Sequence, residues 1–69
     1  MSKYLVVYEN SGRNYSAFCP DLPGCIATGA TKKAVERNIK EAIAFHLEGL
    51  RLDGIRPPIR HSSADYVLV

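Results

Sequence analysis

Apolar and polar positions along the 69-residue chain run from strand-like to helical and back to strand-like. Residues 31–52 carry the clearest pattern. At ~100° of rotation per residue, Val35, Ile39, Ala42, Ile43, His46 and Leu50 fall on one stripe about a quarter-turn wide. Lys32, Lys33, Glu36, Arg37, Lys40, Glu41, Glu48 and Arg51 occupy the flanks and back. This is the signature of a helix that buries one face. Thr31 stands where an N-cap belongs, although Ala34 replaces the acid of a capping box. Gly54 is suited to the C-terminal end, and Pro57-Pro58 forbids continuation. Glu36–Lys40 and Arg37–Glu41 are candidate i,i+4 pairs, each worth only ~0.2–0.5 kcal/mol. Burial of the stripe must therefore supply most of the helix's stability.

Before the helix the pattern is that of strands. Lys3–Glu9 is β-branched and aromatic and apolar on both faces, as in a central strand or one covered by a second subunit. Asn10–Asn14 is a turn by composition, and Tyr15–Cys19 reads as the returning strand of a hairpin. Pro20-Asp21-Leu22-Pro23-Gly24 is a second reversal, stiffened by two prolines. Cys25–Thr28 is a short third strand that leads through Gly29 into the helix. After a polar link, Ala64–Val69 reads as a last strand. The predicted fold class is α+β in the order β-β-β-α-β. A three-stranded antiparallel meander has the helix on one face, and if the last strand joins the sheet beside the first, the two run parallel with a right-handed crossover. That arrangement is a truncated RNase H-like sheet. No repeat or second domain is visible, and residues 1–69 read as a single domain.

Length, charge and cysteine count narrow the function. A chain this short builds one small core worth a few kcal/mol, so self-association or a partner is expected. We expect at least a homodimer, formed through Tyr4, Val6 and Tyr8 on the sheet surface away from the helix. The net charge of +2 does not by itself point to nucleic acid. No apolar run approaches the ~18 residues of a membrane span, and Met1-Ser2-Lys3 does not open a signal peptide. Cys19 and Cys25 are too few for a disulfide scaffold or a zinc site and read as small buried residues. Together these features suggest a cytoplasmic protein with reduced thiols.

Candidate chemistry is sparse. His46 lies within the apolar stripe without a second histidine or carboxylate beside it, so it reads as a structural residue hydrogen-bonded within the fold. A two-metal nuclease needs several acids converging on one site. Glu36, Glu41 and Glu48 lie off the buried stripe, Asp21 is in a turn, and only Glu9 ends a strand. Asp21 suits bonding to turn amides. No catalytic residue, metal or other cofactor is expected. Lys32, Lys33, Arg37 and Lys40 form a basic patch on the first half of the helix. It reads as a solvated face, with nucleic-acid binding as the alternative.

The runs Lys3–Val7, Tyr15–Phe18 and Pro20–Cys25, then Gly29–Thr31, Asn38–Ile43 and His46–Leu50, resemble the HicB antitoxin family. The Pro-Asp-Leu-Pro-Gly-Cys turn, followed at the right distance by the amphipathic helix, is the most specific part. The resemblance implies a non-catalytic domain that binds and blocks a small HicA-type toxin that cleaves RNA. Many such antitoxins carry a further C-terminal DNA-binding domain. None follows Val69 here, so operator binding is not expected of this chain. Lys32 and Lys33 stand where family helices usually open with acids, which admits an orphan relative without a toxin. The candidate partner surface is the rigid reversal Asp21, Leu22, Pro23 and Gly24, whose stiffness lowers the entropy lost on docking.

Overall fold

A computed structural model describes residues 3–69. Three strands, β1 (Val7–Asn10), β2 (Tyr15–Phe18) and β3 (Ile26–Gly29), form an antiparallel sheet in the order β1-β2-β3. One helix, α1 (Lys32–Leu52), follows and packs on β3 and β2. The fold is α+β, as the apolar periodicity predicts. The first strand is shorter than Lys3–Glu9, since pairing starts at Val7.

Thr31 caps α1 from an extended backbone, its Oγ1 accepting from the Ala34 amide at 3.0 Å. The opposite end closes with Gly54 at φ +70°. There the Gly54 amide donates to the Arg51 carbonyl and the Ile55 amide to the Leu50 carbonyl. This double closure satisfies carbonyls the last turn leaves open, and it needs the left-handed conformation glycine adopts freely. The surface ion pairs differ from the expected ones. Lys32 meets Glu36 at 3.7 Å and Glu48 meets Arg51.

The core comprises Ala17, Cys19, Leu22, Cys25, Val35 and Ile39, flanked by half-buried Tyr4, Val6, Tyr15, Ala27, Ala42, Ile43 and Leu47. Length explains which helix residues reach it. A 21-residue helix runs about 30 Å, whereas four-residue strands span about 13 Å, so the last turns overhang the sheet. Leu47, absent from the expected stripe, closes the packed region in place of His46 and Leu50. His46 is half-buried, and its side chain has no hydrogen-bond partner among the described residues. Phe45 and Leu52, on other sides of the overhang, are 83% and 71% exposed.

Two ties lock the layers. The Asn38 side-chain amide donates to the Thr28 carbonyl at 2.8 Å, joining α1 to β3. Gly29 passes so close to the first helical turn that a Cβ built there would lie 2.6 Å from the Val35 amide nitrogen.

The expected last strand is not formed. Residues 55–69 have no regular secondary structure. The Tyr4 hydroxyl donates to the Pro58 carbonyl at 2.9 Å, and a cleft is shared by Lys3, Tyr4 and Leu5 with Arg60, Ser62, Ser63 and Ala64. The tail is thus held beside the residues preceding β1. Pro57 and Pro58 have no amide hydrogen to offer a ladder.

Candidate functional site

The Pro20–Gly24 reversal is closed by its own backbone. The Cys19 amide donates to the Cys25 carbonyl at 3.1 Å, the Leu22 amide to the Cys19 carbonyl at 3.1 Å, and the Cys25 amide to the Leu22 carbonyl at 3.0 Å. Gly24 adopts φ +83°, which favours glycine at this position. These bonds turn Leu22 inward. Its side chain is 0% exposed and forms part of the core, so it has no area to present to a partner. Pro23 and Gly24 are exposed. Among the four residues expected to form a partner surface, Leu22 therefore shapes the reversal from inside.

Asp21 is also buried, and its carboxylate does not bond the turn amides. It reaches across the fold to the tail. Oδ1 accepts from the Ser62 hydroxyl at 2.7 Å, and Oδ2 accepts from the Ser62 and His61 amides at 3.2 and 3.3 Å. The His61 imidazole Nδ1 lies 3.1 Å from Oδ1. The Ser62 hydroxyl bond, followed by the two amides and the imidazole, holds the Asp21 carboxyl below the usual carboxylate range despite its desolvation. This link joins positions 40 residues apart, and no local sequence signal marks it.

Strand register decides what each face shows. Tyr8 pairs with Ala17, and Ala17 with Ala27. Paired residues share a face, and Ala17 is 1% exposed beneath α1. Tyr8, with Val6 and Tyr4 at two-residue spacing, therefore belongs to the helix side. With Ile39, Ile43 and Leu47 these residues line a groove of about 310 Å³ between β1 and α1. Lys32 Nζ sits 4.5 Å from the centre of the Tyr8 ring. The expectation that Tyr4, Val6 and Tyr8 face away from the helix is thus reversed, because the register with Ala17 sets the opposite parity. The open face instead carries the cross-strand row Val7–Phe18–Ile26, with Phe18 and Ile26 38% and 64% exposed.

Cys19 and Cys25 are both buried free thiols. Burial raises the Cys25 thiol above its ordinary value, with a smaller push from Cys19. A thiol so protonated is a poor nucleophile. Among the described residues, no group of three or more His, Cys, Asp or Glu side chains could hold a metal ion, and no helix is long and apolar enough to cross a membrane. Lys32, in the basic patch, is engaged by Glu36 and the Tyr8 ring.

Comparison with known proteins agrees with this architecture. A chain of a solved HicA3 and HicB3 toxin-antitoxin complex superposes with a TM-score of 0.70 at 27% identity, covering 87% of this chain and 70% of that one. An uncharacterized 14.9 kDa protein from the rep-hol intergenic region of Haemophilus phage HP1 is 34% identical over 64 residues. A UPF0150 protein of Helicobacter pylori is 43% identical over 47 residues, covering 68% of this chain. Another UPF0150 protein, from Thermoplasma acidophilum, is 37% identical over 51 residues, or 74% of each chain. The chain spans 48% of the phage protein and 65% of the Helicobacter one. The model of the HicB-like antitoxin of bacterial toxin-antitoxin systems matches residues 4–68. With the meander, the Pro-Asp-Leu-Pro-Gly-Cys reversal and the helix all inside that match, the chain belongs to the HicB-like antitoxin family.

Proposed function

We propose that this protein binds a small HicA-type toxin in the cytoplasm and neutralises it by occlusion, with no turnover of its own. The observation that carries this reading is its likeness to a chain of a HicA3 and HicB3 toxin-antitoxin complex. The surface best suited to the contact runs from the exposed Pro23-Gly24 tip to Phe18 and Ile26 on the open sheet face. It offers apolar area on a backbone already held in place by the turn's hydrogen bonds, so little ordering entropy remains to be lost on docking. Asp21 and Leu22 serve it indirectly, one by holding the tail and the other by holding the turn.

Titration calorimetry against a purified HicA-type toxin tests the proposal. Ile26→Asp is expected to keep the melting temperature and weaken binding by about 30-fold or more, the scale of an interface hot spot. Occlusion further requires that RNA cleavage stop at one antitoxin per toxin site. Unchanged affinity in Ile26→Asp and Phe18→Asp would reject this surface. Suppression of cleavage at catalytic amounts would reject occlusion.

A further inference from the structure

The sheet leaves the outer edges of β1 and β3 unpaired, and the tail leaves a strand-forming segment without a partner. β1 pairs with β2 on one side only, and among the described residues no backbone hydrogen bond joins its outer edge to anything. At the other end of the chain, Tyr66-Val67-Leu68-Val69 has the aromatic and β-branched composition of a strand. Yet Tyr66 and Leu68 are 100% exposed and Val67 80%. An open edge and an uncovered apolar segment are both liabilities in water, and one strand pairing resolves both.

We infer that residues 66–69 of one copy add as an edge strand to β1 of a second copy, reciprocally, to form a two-fold dimer. The position of the tail's root supports this. Asp21 grips Ser62, and the cleft shared with Lys3, Tyr4 and Leu5 places residues 60–64 beside the segment that leads into β1. The tail therefore starts on the β1 side of the sheet, away from the other open edge at β3. Beyond that grip its side chains leave the parent surface, as their exposure shows. Seven residues, 63–69, follow Ser62, a reach of roughly 23 Å when extended. Adjacent strands lie about 4.8 Å apart and a four-residue strand spans about 13 Å, so the tail can cross to a neighbour and run the whole length of β1. Strand addition gains affinity from main-chain bonds, while alternate side chains settle on the two faces of the sheet. On the open face the added strand would extend the Val7–Phe18–Ile26 row by an apolar residue.

This inference does not rest on toxin binding, and its test uses the 69-residue chain alone. Sedimentation equilibrium is expected to show a dimer. Truncation after Asp65, or Leu68→Asp, is expected to weaken it by about 30-fold or more, the scale of an interface hot spot, with unchanged far-ultraviolet circular dichroism. Because Leu68 touches nothing in its own chain, the substitution leaves the fold intact even if truncation harms it. In a mixture of differently isotope-labelled chains, intermolecular contacts are expected between the methyls of Val67 and Leu68 and the amides of Val7–Asn10. A monomer at high concentration, a dimer unaffected by Leu68→Asp, or tail contacts to the open sheet face in place of the β1 edge would each overturn the proposal.

Discussion

Leu22→Ala is the substitution that most sharply separates scaffold from surface in the reversal. The Leu22 side chain is fully buried, in one cluster with Cys19, Cys25, Val35 and Ile39. Removing three buried carbons at about 0.8 kcal/mol each costs roughly 2.4 kcal/mol in transfer free energy. The cavity left behind adds to this, because a closed turn pinned by three backbone hydrogen bonds collapses only in part. A total of about 3–4 kcal/mol lies inside the range measured for leucine truncation in packed cores. A domain of this size has roughly 3–10 kcal/mol of stability, so the loss is a large share of the whole. With a urea slope of about 1 kcal/mol/M, the midpoint is expected to fall by about 3 M. Urea denaturation followed by circular dichroism measures this, and the neighbouring Pro23→Ala is the control, expected to shift by far less. If Leu22→Ala left the midpoint within ~0.5 kcal/mol of the parent, the value of an ordinary surface change, the inward turn would be wrong.

Other expectations follow from single contacts. Gly29→Ala is expected to cost about 1–3 kcal/mol by thermal or chemical denaturation, since its Cβ would meet helix backbone that has little room to yield. Ile39→Ala is expected to cost about 2–5 kcal/mol, and Leu50→Ala distinctly less, because Leu50 is half-buried beyond the packed sheet. Equal losses in these two variants would mean that the helix is wrongly docked. The Asp21 carboxyl is lowered in the folded state, so its contribution is present above the ordinary value of 3.8 and is lost as pH falls through the folded one. Amide exchange at His61 and Ser62 is therefore expected to speed up in the parent, relative to its intrinsic rate, only once pH falls through that lowered folded value, below the ordinary 3.8. Asp21→Asn is expected to show the faster exchange already at neutral pH, and equal protection in the two proteins would refute the tether.

Local patterns made much of this protein legible from its residues. Apolar recurrence at helical spacing marked residues 31–52, Thr31 and Gly54 marked the ends, and the proline-bounded reversal marked the turn between two strands. Each of these signals lies within a few residues of the feature it specifies, where backbone preference and hydrogen-bonding chemistry act directly. The family turn, read together with the helix behind it, carried the antitoxin assignment. What depends on residues brought together from far apart was not legible. Alternation in Lys3–Glu9 showed that the strand had two apolar faces, but only its pairing with Ala17 put Tyr4, Val6 and Tyr8 under the helix and left Val7, Phe18 and Ile26 open. Composition gave Ala64–Val69 strand character, yet the grip of Asp21 on Ser62, 41 positions away, directs where that segment runs. Gly29 looked like a linker residue until the first turn of α1 was laid against it. A side chain's own chemistry limits what it can do, but parity, proximity and clearance are properties of the assembled chain.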